Sequence, residues 1–353
     1  MPDGGGRRAP VAEQGAEASS AVGRVRRAAG IGLAAVILLA ALSMVLLSRG
    51  EGVGDALASA RWWGVAGALG LAGLSILAEG CVLASLHGEL TPRSIARMVR
   101  AYLSGGFVGS VTPYAAGGAP AWTWALTREG IRVGEAAGLV AGRTMVTTAF
   151  LAAMAAVATI AAPGIAGAPK AIALSALFPL ALLLALVIIA RRPEAAGARV
   201  AGVLRWLGRR KGAERLANAA DDAASEIEHF AGALRGLRKQ PFALLGAFGA
   251  LTAARFCQLL AIPLLLAALG RPLELGEALI GAIVVWVGAA ITPAPSGEGV
   301  AQAVIVGVFG RLATPDAAAA AALAWRATVY YPIYLVGGLF FARLLRGLSP
   351  HQW

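Results

Sequence analysis

The sequence predicts an all-α, polytopic membrane protein: a helical bundle that contains two re-entrant helical hairpins in an inverted-topology repeat. The first observation is composition, because 58% of the 353 residues are hydrophobic and only 14% are charged. The second is that several apolar runs reach about 20 residues, the length that a helix needs to cross a bilayer. The third is that two further apolar runs are interrupted by proline and glycine, at 112–120 and at 292–300.

The interruption at 292–300 predicts the second hairpin. Pro293 and Pro295 remove backbone donors, and in hydrocarbon every remaining backbone polar group needs a partner inside the protein. The apolar arms on either side, 278–291 and 300–310, reach only about 16–21 Å at about 1.5 Å per residue. Because the hydrocarbon core is about 30 Å thick, a hairpin that enters and leaves on one side fits these arms better than two spans.

The interruption at 112–120 has the same pattern and predicts the first hairpin. Each interruption begins with Thr-Pro and places a glycine four residues after that proline, at Gly117 and at Gly297. Two interrupted segments in corresponding positions of two halves are typical of a transporter binding site. The alternative is a chance match between stretches that are rich in glycine and proline, since the chain has 46 glycines.

The predicted parts of the chain follow in order from these runs. They are a disordered cytoplasmic tail at 1–27, a first transmembrane half at 28–190 with its hairpin at 101–127, a basic cytoplasmic helical segment at 191–240, a second transmembrane half at 241–346 with its hairpin at 278–310, and a C-terminal tail at 347–353. The predicted spans are 28–47, 62–86, 136–162, 171–190, 241–269 and 316–345. A basic amphipathic stretch after Thr91-Pro92 is predicted to be an interfacial helix that ends where the first hairpin begins, at Ala101.

The basic residues predict the orientation. Lysine and arginine outnumber aspartate and glutamate by 31 to 19, for a net charge of +12. Nucleic acid binding is one explanation of this excess, but the charges flank apolar runs, which positive-inside topology and contact with anionic lipid explain better. We therefore expect a multi-pass protein of the cell (inner) membrane with both termini and 191–240 in the cytoplasm, and with 163–170 and 270–277 outside.

This topology predicts an inverted repeat. In each half a span precedes a hairpin and an arginine-bearing span follows it, and the second half runs in the opposite direction. Glu79 corresponds in position to Arg255, and Arg143 corresponds to Arg326. With the two Thr-Pro pairs, the offsets between the halves are 176, 180 and 183 residues, which is nearly constant.

Four ionisable residues fall in the middle of predicted spans: Glu79, Arg143, Arg255 and Arg326. A charge at the bilayer centre costs about 2.5–3.5 kcal/mol even on a lenient scale, so each is expected to face the protein interior and to be paired. We predict a structural ion pair between Glu79 and Arg255.

Arg143 and Arg326 are instead predicted to form an electropositive cavity at the midplane, together with the helix N-termini that follow the two interruptions. Helix N-termini favour anions, and arginine binds phosphate in a bidentate manner. The candidate lipid- or anion-binding residues are Arg143, Arg326, Gly117, Gly118, Thr292, Ser296, Gly297, Glu298, Gly299, Gln302 and Tyr330.

Signals of catalysis, metals and cofactors are weak, and we expect none of the three. Cys81 and Cys257 fall inside apolar runs, where a thiol behaves as a small hydrophobe. Intramembrane hydrolysis through Ser296-Gly297 is disfavoured, because the sequence lacks the glycine two residues before the serine and any histidine in an apolar segment.

Six stretches of the chain together resemble the lysylphosphatidylglycerol synthase transmembrane region family, which consists of flippase-like integral membrane proteins. They are Thr112–Gly118, Arg128–Ile131, Thr292–Val300, Trp325-Arg326, Tyr330–Pro332 and Gly337-Gly338. The resemblance covers about residues 28–346, and it implies two re-entrant hairpins and a role in moving or handling lipids across the inner membrane. In the bifunctional synthases an aminoacyl-transfer domain follows, whereas this chain stops at Trp353, so synthesis of an aminoacylated lipid is not implied.

The chain departs from the family pattern at one place. The family usually has a glutamate at the position of Gln302, which puts proton coupling through that position in doubt. Glu298 is one substitute for the missing acid, and a site of different charge is the other explanation.

The leading hypothesis is a flippase-like protein that binds an anionic phospholipid, or another anionic lipid, between the repeats. The alternatives are a transporter of a small anion or solute, and a non-transporting scaffold that docks a separate lipid-modifying enzyme through 191–240. A lateral opening from the cavity to the lipid favours the flippase, and a sealed cavity favours the solute transporter. A closed, ion-paired interior without a cavity favours the scaffold.

Overall fold

A computed structural model describes residues 52–112, 115–161, 191–211, 240–290 and 297–346, together with isolated helical positions elsewhere. All regular elements within these ranges are helical. The predicted tails, the predicted spans 28–47 and 171–190, and the predicted turn 163–170 lie outside the ranges that the structure describes, as does most of 212–239.

The helices are named here in chain order. They are α1 Val53–Ala58, α2 Trp62–His87, α3 Pro92–Ser110, α4 Gly118–Arg128, α5 Val133–Ala161, α6 Pro193–Lys211, α7 Pro241–Ala268, α8 Leu275–Ala290, α9 Val300–Leu312, α10 Pro315–Trp325, a π-helical segment Arg326–Tyr330, and α11 Tyr331–Arg346. Within the described residues, four stretches are long and apolar enough to cross a membrane: Trp62–His87, Val133–Met154, Pro241–Ala268 and Pro315–Arg346. The predicted multi-pass, all-helical membrane protein is confirmed.

Helices α2 and α7 pack along their whole length and run antiparallel. The backbone N–H of Arg61 donates to the carbonyl of Ala268 at 3.1 Å, near the start of α2 and the end of α7. Further along α2, Ser75 contacts Gln258, and Glu79 contacts Arg255. The partners on α7 thus descend in number as those on α2 rise, and this pairing places Glu79 opposite Arg255.

The first hairpin differs from the prediction at its start. One continuous helix, α3, runs from Pro92 to Ser110, so the predicted interfacial helix is the first part of the hairpin's own first arm. The hydroxyl of Thr91 accepts a hydrogen bond from the Ser94 N–H at 3.2 Å and caps this helix, with proline in the first turn. No proline or glycine separates Arg93 from Ala101, so nothing in the sequence ends the helix there.

The threonine of the first interruption closes the turn between α3 and α4. The hydroxyl of Thr112 donates to the carbonyl of Val108 at 3.0 Å and accepts from the N–H of Gly117 at 3.0 Å. The two arms are in close contact next to this turn, where a Cβ on Gly109 would lie 3.3 Å from the Cα of Gly118. Gly117 and Gly118 therefore have packing and hydrogen-bonding partners within the hairpin.

Deeper in the hairpin, α3 and α4 meet at Gly105. A Cβ at this position would lie 2.0 Å from Cδ1 of Trp122, closer than any side chain can approach. The indole N–H of Trp122 donates to the carbonyl of Tyr102 at 2.9 Å, and the two rings stack with centroids 6.1 Å apart. A missing side chain on α3 thus creates the space that this tryptophan fills.

The second hairpin has the predicted arms. Helix α8 ends at Ala290 and α9 begins at Val300, close to the predicted boundaries. Thr292 and Ser296 lie in the connection outside the described residues. Gly297 and Gly299 adopt φ angles of +63° and +80°, which glycine tolerates without the steric cost of a side chain.

The last span contains a π-helical segment one turn before the predicted kink at Tyr330-Tyr331-Pro332. The N–H of Tyr331 donates to the carbonyl of Arg326, five residues earlier. Pro332 has no N–H to donate to the carbonyl of Thr328. The Thr328 hydroxyl in turn donates to the carbonyl of Ala324 at 2.8 Å. The register shift therefore begins at Arg326, and segments of this kind often occur at functional sites.

The two halves of the chain are packed into each other. Helix α11 of the second half crosses α3 of the first at Gly337, where a Cβ would lie 2.4 Å from the carbonyl oxygen of Leu103. The order of elements also repeats: a long helix, two shorter helices joined by a glycine-containing turn, and a second long helical span.

The Trp122 contact generates a stability prediction. Gly105→Ala places a methyl group against the indole, and overpacking of this kind typically costs about 1–3 kcal/mol. Gly106→Ala is the matched control on the same helix, because a Cβ there would meet nothing within 4 Å. Thermal unfolding of both purified variants in detergent checks the prediction. Equal melting temperatures for the two variants would show that the close packing of α3 on α4 is incorrect.

Candidate functional site

The first buried ion cluster is centred on Glu79 of α2, whose side chain has 0% exposure. Its Oε1 accepts a hydrogen bond from Nη2 of Arg255 at 2.6 Å, so the predicted contact between these residues is present. Its Oε2 accepts from Nη2 and Nε of Arg143 at 2.8 and 3.0 Å. One carboxylate therefore joins α2, α5 and α7.

The position of Arg143 corrects the predicted grouping, which placed it beside Arg326. Arg143 instead contacts Glu79 and lies under the aromatic rings of the first hairpin, with Cζ 4.4 Å from the centroid of Trp122 and 5.2 Å from that of Tyr102. The sequence shows that a buried arginine needs a partner, but it does not show which faces of α2 and α5 meet.

The first cluster extends to residues that sequence reasoning missed. Nη1 of Arg255 donates to Oε1 of Gln258 at 2.7 Å, and Nε2 of Gln258 donates to the hydroxyl of Ser75 at 3.0 Å. The ring of Trp286 on α8 lies 5.5 Å from Cζ of Arg255. A helical-spacing argument would have found two of these residues, since Gln258 and Ser75 each lie about one turn from a charged residue on the same helix.

The second buried cluster is formed by Arg326 and the residues around α9. Nη2 of Arg326 donates to the carbonyl of Gly297 at 2.9 Å and to Oε1 of Gln302 at 3.3 Å. Its Nε lies 3.6 Å from Oε2 of Glu298. The structure thus brings together five of the predicted residues, because Gly299 also donates its N–H to Oε1 of Gln302 at 2.8 Å.

Gln302 connects the two partners of Arg326. Its Nε2 donates to Oε1 of Glu298, while its Oε1 accepts from Gly299 and Arg326. A glutamate at this position has no N–H to donate and would place a second carboxylate against Glu298, which would raise the proton affinity of the pair. The amide therefore allows Glu298 to remain the charged partner.

Tyr330 lies beside Arg326, as the sequence predicts. The Cζ of Arg326 is 4.5 Å from the centroid of Tyr330 and 5.2 Å from that of Trp325. These two rings meet edge to face with centroids 4.7 Å apart, five residues apart in sequence. The π-helical segment lies between them, so the register shift brings both rings to the same guanidinium.

The buried charges of the described residues do not cancel. They are the two glutamates Glu79 and Glu298 and the three arginines Arg143, Arg255 and Arg326, which leaves a net charge of +1. A pocket of about 260 Å³ lies between the clusters, and its lining includes Gln258 and Trp286 from the first and Trp325 and Tyr330 from the second. Within the described residues, no group of three or more histidine, cysteine, aspartate or glutamate residues is arranged to hold a metal ion.

The comparisons with known proteins agree with this architecture. A family model described as the lysylphosphatidylglycerol synthase TM region matches residues 28–337. That range contains both hairpins, both ion clusters and the pocket. No curated protein and no solved structure matches the chain.

The geometry of the first cluster generates a graded prediction. Glu79→Gln leaves two buried guanidinium groups without a carboxylate and is expected to cost about 3–5 kcal/mol. Arg255→Gln is expected to cost less, because Arg143 still neutralises Glu79. Glu89→Gln is the control, since Glu89 pairs with Arg97 at an exposed site where loss costs less than about 1 kcal/mol.

Unfolding of these variants in detergent measures the order. If Arg255→Gln destabilised the protein as much as Glu79→Gln, Glu79 would not be the shared partner. A charge swap between positions 79 and 255 is expected to restore stability only in part, because Arg143 would then face an arginine instead of a carboxylate.

Proposed function

Because the chain belongs to the lysylphosphatidylglycerol synthase transmembrane region family, we propose that it is a flippase-like protein that binds the anionic headgroup of a phospholipid between its two halves and moves it across the membrane. We propose that it has no enzymatic activity of its own and that its partners are membrane phospholipids or other anionic lipids. A separate lipid-modifying enzyme is a further proposed partner, acting before or after transport.

The observation that carries this proposal is the buried net charge of +1 at the junction of the two halves. Charged residues inside a membrane are costly and occur mainly where they line a pathway for a substrate or ion. Three arginines with two glutamates leave one positive charge to be balanced, and an anionic headgroup supplies the balancing charge. The aromatic rings around Arg143 and Arg326 leave the planar guanidinium groups in surroundings with few other anions.

The lengths of the helices support two re-entrant hairpins. At about 1.5 Å per residue, the 16 residues of α8 and the 13 of α9 reach about 24 and 20 Å. Both are shorter than the hydrocarbon core of about 30 Å. The 11 residues of α4 reach about 16 Å, so the first hairpin also has an arm that is too short to cross.

The antiparallel packing of α2 and α7 supports an inverted repeat. These helices occupy the same place in the two halves, and corresponding helices of an inverted repeat run in opposite directions through the membrane. In such folds the substrate binds near the midplane at the interface of the repeats. That is where the charged residues of α2 and α7 meet in this chain.

The distribution of basic residues supports an orientation. Arg93, Arg97 and Arg100 begin α3, Arg343 and Arg346 end α11, and α6 is rich in arginine. With the positive-inside rule these segments face the cytoplasm, together with both termini, and the membrane is the cell (inner) membrane.

A transporter of a small anion is the second candidate, and the size of the pocket favours it. At about 260 Å³ the pocket is smaller than the usual sites for drug-sized ligands. In the lipid proposal this arrangement is an occluded state, and the halves separate to admit a headgroup.

The main test is lipid movement by Arg326 variants in liposomes. Arg326→Lys keeps the charge but loses the planar fork that binds a phosphate in a bidentate manner, so we expect slower lipid movement with the fold intact. Arg326→Ala is expected to abolish movement. Arg311→Lys is the matched control, because Arg311 is exposed at the end of α9 and is expected to retain the parent rate.

The readouts are the rate of movement of a fluorescent phosphatidylglycerol, its retention by the purified protein, and the melting temperature. Variants of Arg326 that fold normally and move lipid at the parent rate would remove this residue from the site. Loss of expression or melting temperature before any loss of binding would indicate a structural role.

The orientation has its own test, with single cysteines introduced after replacement of Cys81 and Cys257. An impermeant thiol reagent added to intact cells is expected to label a cysteine in 270–277 and to leave one in α6 unlabelled. Permeabilised cells control for the reactivity of the α6 site. Labelling of α6 in intact cells would contradict both the orientation and the inverted repeat.

A further inference from the structure

The pocket between the two ion clusters has an unusual lining. It lies among α7, α8, α10 and the π-helical segment, and four of its lining residues carry a polar atom on an amide, indole or phenol: Gln258, Trp286, Trp325 and Tyr330. The rest of its lining is aliphatic, from residues such as Ala282 and Val285. The pocket is therefore an enclosed apolar space into which a few polar side chains project.

One of these polar groups lacks a partner. Trp325 is 4% exposed, and its Nε1 is buried with no hydrogen-bond partner among the described residues. Leaving a buried N–H unsatisfied costs about 1–3 kcal/mol, so such groups in folded proteins usually contact a bound water, ion or ligand. The indole is a donor only, and therefore it requires an acceptor.

The neighbouring amide also offers a donor. The oxygen of Gln258 accepts from Arg255, and one N–H of its Nε2 is directed to Ser75. An amide nitrogen carries two hydrogens, so a second N–H remains for the pocket. Nε of Arg255 is likewise buried without a hydrogen-bond partner among the described residues. The available groups on this side of the pocket are thus donors.

The electrostatics have the same sign as the hydrogen bonding. Arg255 lies behind Trp286 at 5.5 Å and Arg326 behind Tyr330 at 4.5 Å, so two of the pocket's aromatic walls are each backed by a guanidinium group. The two clusters together carry a net charge of +1. A pocket with donor groups, cationic flanks and excess positive charge favours an anion over a cation or a neutral acceptor.

We propose that this pocket binds one small anionic group, either a free anion of halide or phosphate type or an anionic oxygen of a phospholipid headgroup, with the Trp325 indole N–H as a direct donor. This inference deepens the proposed function, because it names the place that receives the charge of the headgroup. Binding of the anion does not itself require transport, so the two proposals can fail separately.

The test uses the full-length purified protein and Trp325→Phe, which removes the N–H and keeps most of the apolar ring. In the first arm, delipidated protein in detergent is titrated with bromide or inorganic phosphate against gluconate at constant ionic strength. In the second arm, nanodiscs of phosphatidylglycerol are compared with nanodiscs of phosphatidylcholine. The melting temperature is measured in both arms, and the titration gives an apparent affinity.

We expect the anion to raise the melting temperature of the parent, and Trp325→Phe to weaken the apparent affinity at least about tenfold, as the loss of a hydrogen bond to a charged group implies. Trp62→Phe is the matched control, since Trp62 is 79% exposed, and it is expected to behave as the parent. Ala282→Val fills the pocket without removing a donor and is expected to abolish the effect. It keeps the proposal testable if Trp325→Phe folds poorly.

Each outcome has a definite meaning. An effect of bromide or phosphate that Trp325→Phe weakens supports the site with a free anion as its ligand. An effect of phosphatidylglycerol alone, again weakened by Trp325→Phe, supports the site with a lipid oxygen as its ligand. The proposal is overturned if neither arm shows an effect, or if Trp325→Phe and Ala282→Val both respond as the parent does.

The comparison with lipid movement separates this inference from the proposed function. Anion binding that depends on Trp325, in a protein that moves no lipid, would count against the flippase proposal alone. Lipid movement that depends on Arg326, without any anion effect at the pocket, would count against the pocket alone.

Discussion

The contact on which the rest of the structure depends is the carboxylate of Glu79 shared by two guanidinium groups. Arg143 and Arg255 both donate to it at 2.6–3.0 Å, and the three residues come from three different helices. In a low-dielectric interior an unpaired charge is far more costly than a lost apolar contact, so these helices have only a few relative positions in which all three charges are satisfied. That constraint fixes α2 against α7 and holds α5 against both.

The two halves repeat a chemical assembly more closely than they repeat residues. In each half an arginine lies against aromatic rings and faces a glutamate, Arg143 with Glu79 and Arg326 with Glu298. The glutamates come from different places, since one is on a long helix and the other is next to the hairpin connection. The position that corresponds to Glu79 in the second half is occupied by Arg255, which contacts Glu79 itself. This asymmetry both links the halves and produces the net positive charge.

Much of the architecture could be predicted from the sequence, because spans and hairpin arms depend on local quantities. The length of an apolar run and the positions of Pro293 and Pro295 set the boundaries without any tertiary information. The partner of Arg143 could not be predicted, because it depends on how α2 and α5 rotate against each other. The start of the π-helical segment was also beyond reach: Pro332 indicates a disturbed helix, but the packing around Arg326 decides where the register changes.

The two clusters differ in how readily an anionic group could enter them. Around Glu79 the hydrogen bonds are short, and both carboxylate oxygens are engaged, so removing either arginine would leave a buried charge. Around Arg326 the contact to Glu298 is longer, at 3.6 Å, and Oε2 of that carboxylate has no hydrogen-bond partner among the described residues. A phosphate oxygen that approached Arg326 would displace a weaker contact, and Gln302 would still hold Glu298. On this reasoning the Glu79 cluster holds the halves together, while the Arg326 cluster exchanges its partner.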